Sequence, residues 1–154
     1  MGVMADYFAA SSPTDAVVAM TLPAGPGGPD SPFTDSVSVR GLPDVEVRDI
    51  VSRLAGDEAG DVRGEEAVLL ELTDDGEQLL FSLPSSWTRA LAGSGPDQLR
   101  AAAVAFRHDP MNCINGEPDV LTTDESVADG IASLAGLARR AQQTGRELFC
   151  WVCV

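Results

Sequence analysis

Lysine is absent from this chain, and histidine and tyrosine occur once each. All ten basic residues are arginine and only Arg139 and Arg140 are adjacent, so there is no clustered basic stripe of the kind a phosphate backbone requires. Nucleic acid is therefore excluded as the expected partner. The same shortage of positive charge excludes an anionic membrane surface, and the longest apolar runs, such as Phe149 to Val154, are too short to span a bilayer. With one histidine, a Ser-His-Asp or Cys-His triad has only His108 to use, and no serine sits in a G-x-S-x-G setting. Three cysteines, an odd number, argue against a disulfide framework and for a reducing compartment. The start, MGVMADYFAA, lacks the positive segment and long apolar run of a secretory signal, and Asp6 stands where myristoylation needs serine or threonine. These features predict a cytoplasmic protein.

What is present is acid. Twenty-four Asp and Glu against ten Arg give a formal net charge of −14, which bears on partners and solubility and not on fold. The acid is concentrated in two runs, Asp57 to Glu77 with only Arg63 to offset it, and Asp109 to Asp129 with no basic residue. Apolar content is ordinary for a globular protein, and 154 residues suit a single domain that buries about 70% of its unfolded surface.

The organising stretch is Glu147 to Val154, ELFCWVCV. A strand with one wet face alternates apolar and polar residues, whereas here Leu148, Cys150, Val152 and the opposite set Phe149, Trp151, Cys153 are both apolar. The pattern predicts a central strand covered on both faces. Ahead of it, Val3 to Ala9 reads as a first strand. Ser12 then caps a short helix opened by Pro13 and continuing from Ala16 to Leu22. Residues 23–32, rich in proline and glycine, are expected to form a flexible surface loop. Phe33 to Arg40 reads as a strand, and Val47, Ile50, Val51 and Leu54 mark the buried face of a helix closed by Gly56. Ala67 to Leu72 and Gln78 to Phe81 form a hairpin across Asp74, Asp75 and Gly76. Pro84 opens a helix stopped at Gly93 to Pro96, and Asp97 to His108 follows with Leu99, Ala102, Ala103 and Phe106 inward. After a polar loop from Asp109 to Thr122, Thr122 and Glu125 give a capping-box signature for a long helix. Its stripe is Val127, Ile131, Leu134, Ala138 and Ala141, and Gly145 ends it. The expected fold is α+β, one domain over residues 1–154, with a mixed sheet of about five strands and helices packed on it.

The start Met1-Gly2-Val3-Met4 with Tyr7-Phe8-Ala9 resembles the YfbM-like family of uncharacterised bacterial proteins. So do the second-helix pattern, Val47 through Ile50-Val51 to Leu54-Ala55-Gly56, and the long helix running into a final apolar strand. The ending ELFCWVCV is similar to the ends of uncharacterised actinobacterial proteins. The resemblance implies an α+β fold and no established activity. It also implies Trp and His where this chain has Val47 and Val51, so no site on that pair carries over.

Chemistry-bearing residues are few. Cys150 and Cys153 match C-x-x-C, but within a strand residues three apart point to opposite faces, and no helix start follows to lower a thiol pKa. His108, Cys113, Cys150 and Cys153 have the ligand types of a zinc site without its turn-borne spacing, and no metal or other cofactor is expected. Paired carboxylates such as Asp74-Asp75 and Glu65-Glu66 lie in turn-like, solvated positions. Gly25 to Gly28 lacks the Lys and helix of a phosphate loop.

Two function classes follow. The leading one is a non-enzymatic protein-interaction module, immunity- or inhibitor-like, whose acidic runs hold a basic protein partner. The alternative is a small-molecule binder or enzyme with a pocket beside the 109–122 loop, its binding residues drawn from His108, Asp109, Asn112, Asn115 and Glu117. The oligomeric state has no sequence signal.

Overall fold

The computed structural model describes residues 3–56, 62 and 64–154. The acidic stretch 57–61 and the opening Met1 and Gly2 lie outside them. Five strands, β1 (Met4–Ala10), β2 (Ser36–Arg40), β3 (Val68–Leu72), β4 (Gln78–Ser82) and β5 (Glu147–Cys153), form one sheet in the order β2-β1-β5-β4-β3. The C-terminal strand is therefore the middle one, as its two apolar faces require. Every pairing is antiparallel, so the expected mixed sheet is corrected to an antiparallel one. Apolar periodicity marks a strand and its faces but carries no information about direction.

The two faces of β5 enter different cores. Leu148, Cys150 and Val152 join Ala5, Tyr7 and Ala9 under the helices α2 (Asp44–Leu54), α3 (Ser85–Gly93), α4 (Pro96–Arg107) and α5 (Asp124–Thr144). Phe149 and Trp151 join Phe8, Ala10 and Leu80 on the other side. There the cover is the segment between β1 and β2: α1 (Pro13–Ala16), a 3-10 turn over Val17–Thr21, and the Pro/Gly stretch. Ser12 caps α1 by accepting from the Asp15 amide at 3.2 Å, with Pro13 first in the helix as its fixed φ favours.

Residues 23–32, expected as a free loop, lie against the sheet. Gly25 takes φ +65° and sits where a Cβ would come within 2.7 Å of the Trp151 ring. Two residues on, the Gly27 amide donates to the buried Asp6 carboxylate at 3.3 Å. Asp6 also accepts from the Ser38 hydroxyl at 2.5 Å, so a buried carboxylate on β1 ties the loop to β2.

Candidate functional site

Helix α4 ends at Arg107, and His108 caps it where the loop that leads to α5 begins. Arg107 closes that loop on itself. Its guanidinium donates to the carbonyl oxygens of Thr122 at 2.6 Å and Asp119 at 3.2 Å, to Thr122 Oγ1 at 3.2 Å and to Asp124 Oδ1 at 2.7 Å. A planar, forked donor suits this task, because one rigid group satisfies several acceptors at once. At the loop's other end Asp109 accepts from the Met111 amide at 2.9 Å and from Arg53 of α2 at 2.5 Å. Asn112 donates to Asp49 of α2 at 3.1 Å and to the Phe106 carbonyl at 3.0 Å.

Between these anchors Ile114 and Glu117 form an isolated antiparallel bridge, with Asn115 at φ +54° and Gly116 at φ +81° in the turn. Asn-Gly tolerates two successive left-handed residues at little cost, which makes it the expected pair for so tight a reversal. Electrostatics follow the anchoring. The Met111 amide and then the Arg53 guanidinium hold the Asp109 carboxyl below its ordinary range, and Arg107 first and His108 next do the same for Asp124.

A cleft opens between this loop and the first turn of α2. Its inner part, about 130 Å³, is lined by Leu42, Glu46, Phe106, Arg107, Asn112 and Val127, among others. The outer part, about 430 Å³, adds Val3, Arg40, Pro43 and Leu121, and both parts share Gly41, Glu46, Asp119 and Thr122. Glu46 is the notable group. One of its carboxylate oxygens is buried without a hydrogen-bond partner, and burial first and the Asp44 charge second raise its pKa. No arginine contributes to holding its charge.

Of the residues expected from sequence, Asn112 alone lines the cleft. His108 is exposed and its Nε2 faces the Asp124 carboxylate at 2.9 Å. Asp109 is an anchor, Asn115 a turn residue, and Glu117 half of the bridge. The cleft's other polar groups, Arg40, Glu46, Arg107, Asp119 and Thr122, were not expected. The last carries a small correction: Thr123 caps α5, with Ser126 completing the box, in place of Thr122 and Glu125. Thr122 is engaged by Arg107 and Glu125 by Arg100, so each of the expected partners is drawn elsewhere by an arginine.

The zinc alternative is dispersed. Cys150 is buried beneath the helices and Cys153 faces the other core. Cys113 lies in the loop with its thiol 3.8 Å from the Arg107 carbonyl. Among the described residues no three metal-ligating side chains gather. Burial pushes the Cys150 thiol far up, so it is a core residue beside Tyr7 and not a redox nucleophile. Ser94, between two glycines, is a helix stop: its hydroxyl donates to the Ala90 carbonyl at 2.7 Å and its carbonyl accepts from Arg139 at 2.6 Å. No helix of the described residues is long and apolar enough to cross a membrane. No family model, curated protein or solved structure matches this chain.

Proposed function

We propose that this chain is a protein-binding module whose recognition element is the 109–122 loop. Four large apolar side chains of that loop stand in solvent: Met111 at 91%, Val120 at 88%, Leu121 at 82% and Ile114 at 69% exposure. That is the observation that carries the reading. A loop fastened from beneath by Arg107, Arg53 and Asn112 does not need to expose apolar side chains in order to fold. An ordered loop that does so presents a contact surface whose ordering entropy is already spent. Among these side chains stand Glu117, bridged to Ile114, and Asp119, next to Val120, and behind them the cleft holds the Glu46 carboxylate with an unpartnered buried oxygen. The partner this suits is a basic protein. Its apolar residues cover the loop while one Lys or Arg enters the cleft opposite Glu46, in the manner of a central anchor within a hot spot. The cytoplasm is the proposed compartment, on the free thiols.

The test is site-specific photo-crosslinking from Val120 in the producing cells, against an otherwise identical probe at Arg89. The expected result is a basic protein captured from Val120 only. Capture should fall about tenfold or more in Met111→Ser/Leu121→Ser and again in Glu117→Lys, with unfolding midpoints unchanged. Equal capture by all these variants would sink the proposal.

A further inference from the structure

At the opposite end of the sheet, where β4 gives way to α3 and β5 begins, a separate cavity of about 160 Å³ lies over Leu83 and Leu148. Its polar wall contains Ser85, Thr88 and Arg89 of α3, Gln142 of α5, Arg146 in the turn between α5 and β5, and Glu147 at the start of β5. The composition is unusual for this molecule. Arg48, Arg53, Arg100, Arg107 and Arg140 each pair with a carboxylate, and Arg139 donates to the carbonyls that end α3. Arg89 and Arg146 do neither: among the described residues they form no ion pair and no side-chain hydrogen bond, although acids outnumber arginines by 24 to ten. Among the described residues three arginines stay unpaired, Arg40 at the outer cleft and Arg89 and Arg146 together in this cavity.

Two further observations point the same way. The cavity meets the first turn of α3, a nine-residue helix whose cap, Pro84, provides no side-chain acceptor. The first amides of the helix thus receive no acceptor from a capping side chain, and Ser85 among them lines the cavity. Independently, Thr88 is only 8% exposed, lines the cavity and makes no side-chain hydrogen bond among the described residues. A polar side chain enclosed to that degree is ordinarily satisfied, by protein or by what occupies the space beside it.

We propose that this cavity is an oxyanion site for a phosphoryl group. Arg89 and Arg146 would supply charge-assisted donors, Ser85 and Thr88 hydroxyl donors, and the α3 amides the remaining oxygens' partners. Donors arriving from α3, from α5 and from Arg146 in the turn between α5 and β5 surround a tetrahedral anion better than a planar carboxylate, whose two oxygens leave some of them unused. The volume admits the phosphoryl group with a short substituent resting on Leu83 and Leu148, and Glu147, the one carboxylate in the wall, opposes binding.

The experiment is a titration of the full chain with inorganic phosphate, followed by backbone amide NMR at a fixed ionic strength of about 0.15 M. Acetate is the comparison anion. Expected are saturable shifts confined to Ser85 through Arg89 and Gln142 through Leu148, with a Kd on the order of millimolar. Binding should weaken about tenfold or more in Arg89→Gln/Arg146→Gln, hold in Arg100→Gln and tighten severalfold in Glu147→Gln. Both arginines are exposed, so the double variant folds. Shifts that stay linear, an unchanged Kd in the double variant, no tightening in Glu147→Gln, or acetate bound as well as phosphate would each overturn the assignment.

Discussion

Gly25 shows at the level of a single residue why a proline- and glycine-rich stretch can be a fitted part. Its φ of +65° lies where a side chain is strained, and the space a methyl group needs is taken by the Trp151 ring at 2.7 Å. The backbone penalty is about 1–2 kcal/mol and forced overpacking adds about 1–3 kcal/mol, so Gly25→Ala should lower stability by roughly 2–5 kcal/mol. Gly93→Ala is the control, because nothing lies within 4 Å of its added methyl and the position ends α3 without a positive φ. Urea unfolding followed by tryptophan fluorescence separates the two. Equal midpoints for both variants would mean that the stretch does not bear on Trp151. From sequence this stretch reads as a free loop, since proline and glycine exclude regular structure without saying whether the chain leaves the surface. The aromatic beneath it comes from more than a hundred residues away, and no local pattern announces that meeting.

At the scale of elements, the 109–122 loop depends on one side chain from the helix before it. Arg107 is largely enclosed and serves four acceptors spread over Asp119, Thr122 and Asp124. Arg107→Ala strands them together, and because such bonds are not additive the expected loss is about 2–3 kcal/mol. Hydrogen exchange should quicken first at Asp119 to Thr122, while Ala5 to Ala9 of the central sheet stays protected. Uniform loss of protection would show that the loop and the sheet open as one unit. Acid tests the same fastening. Asp109 and Asp124 have folded-state pKa values below their unfolded ones, so what they contribute is present above the unfolded value and is lost as pH falls through the folded one. Loosening of the loop is therefore expected below about pH 4 and not between neutrality and about pH 5.

Much of this element's surroundings was legible. The inward faces of α2, α4 and α5 and the buried middle strand follow from spacing alone. The cleft does not, because its polar groups come from β2, from α2 and from both ends of the loop. Glu46 in particular reads locally as an acid suited to the first turn of a helix. The Thr122 and Thr123 exchange has the same origin. Two adjacent threonines compete for one cap, and a distant arginine decides between them.

For the whole molecule the relevant quantity is how its charge is spread. The β3–β4 turn at Asp74 to Glu77 and the Asp119–Thr122 segment both lie at the end of the sheet marked by Met4, Arg40 and Gln78. The cavity with Arg89 and Arg146 lies at the other end, beyond Ser82 and Glu147. A seven-residue β5 separates the two ends by about 23 Å, well over the Debye length of about 8 Å at physiological salt. In that solution the charges at one end are screened from those at the other. At low ionic strength the ends no longer act separately and the net −14 governs. Two salt effects then oppose each other. Screening weakens exposed pairs such as Arg100–Glu125, each worth about 0–1 kcal/mol, and it relieves the self-repulsion of a compact chain carrying fourteen uncompensated charges. Repulsion grows with the square of net charge and reaches several kcal/mol at a radius near 20 Å, so its relief should win. Raising sodium chloride from about 10 mM to about 150 mM is expected to shift the urea midpoint upward by an amount worth a few kcal/mol. A midpoint that falls with salt would mean that the ion pairs outweigh the repulsion.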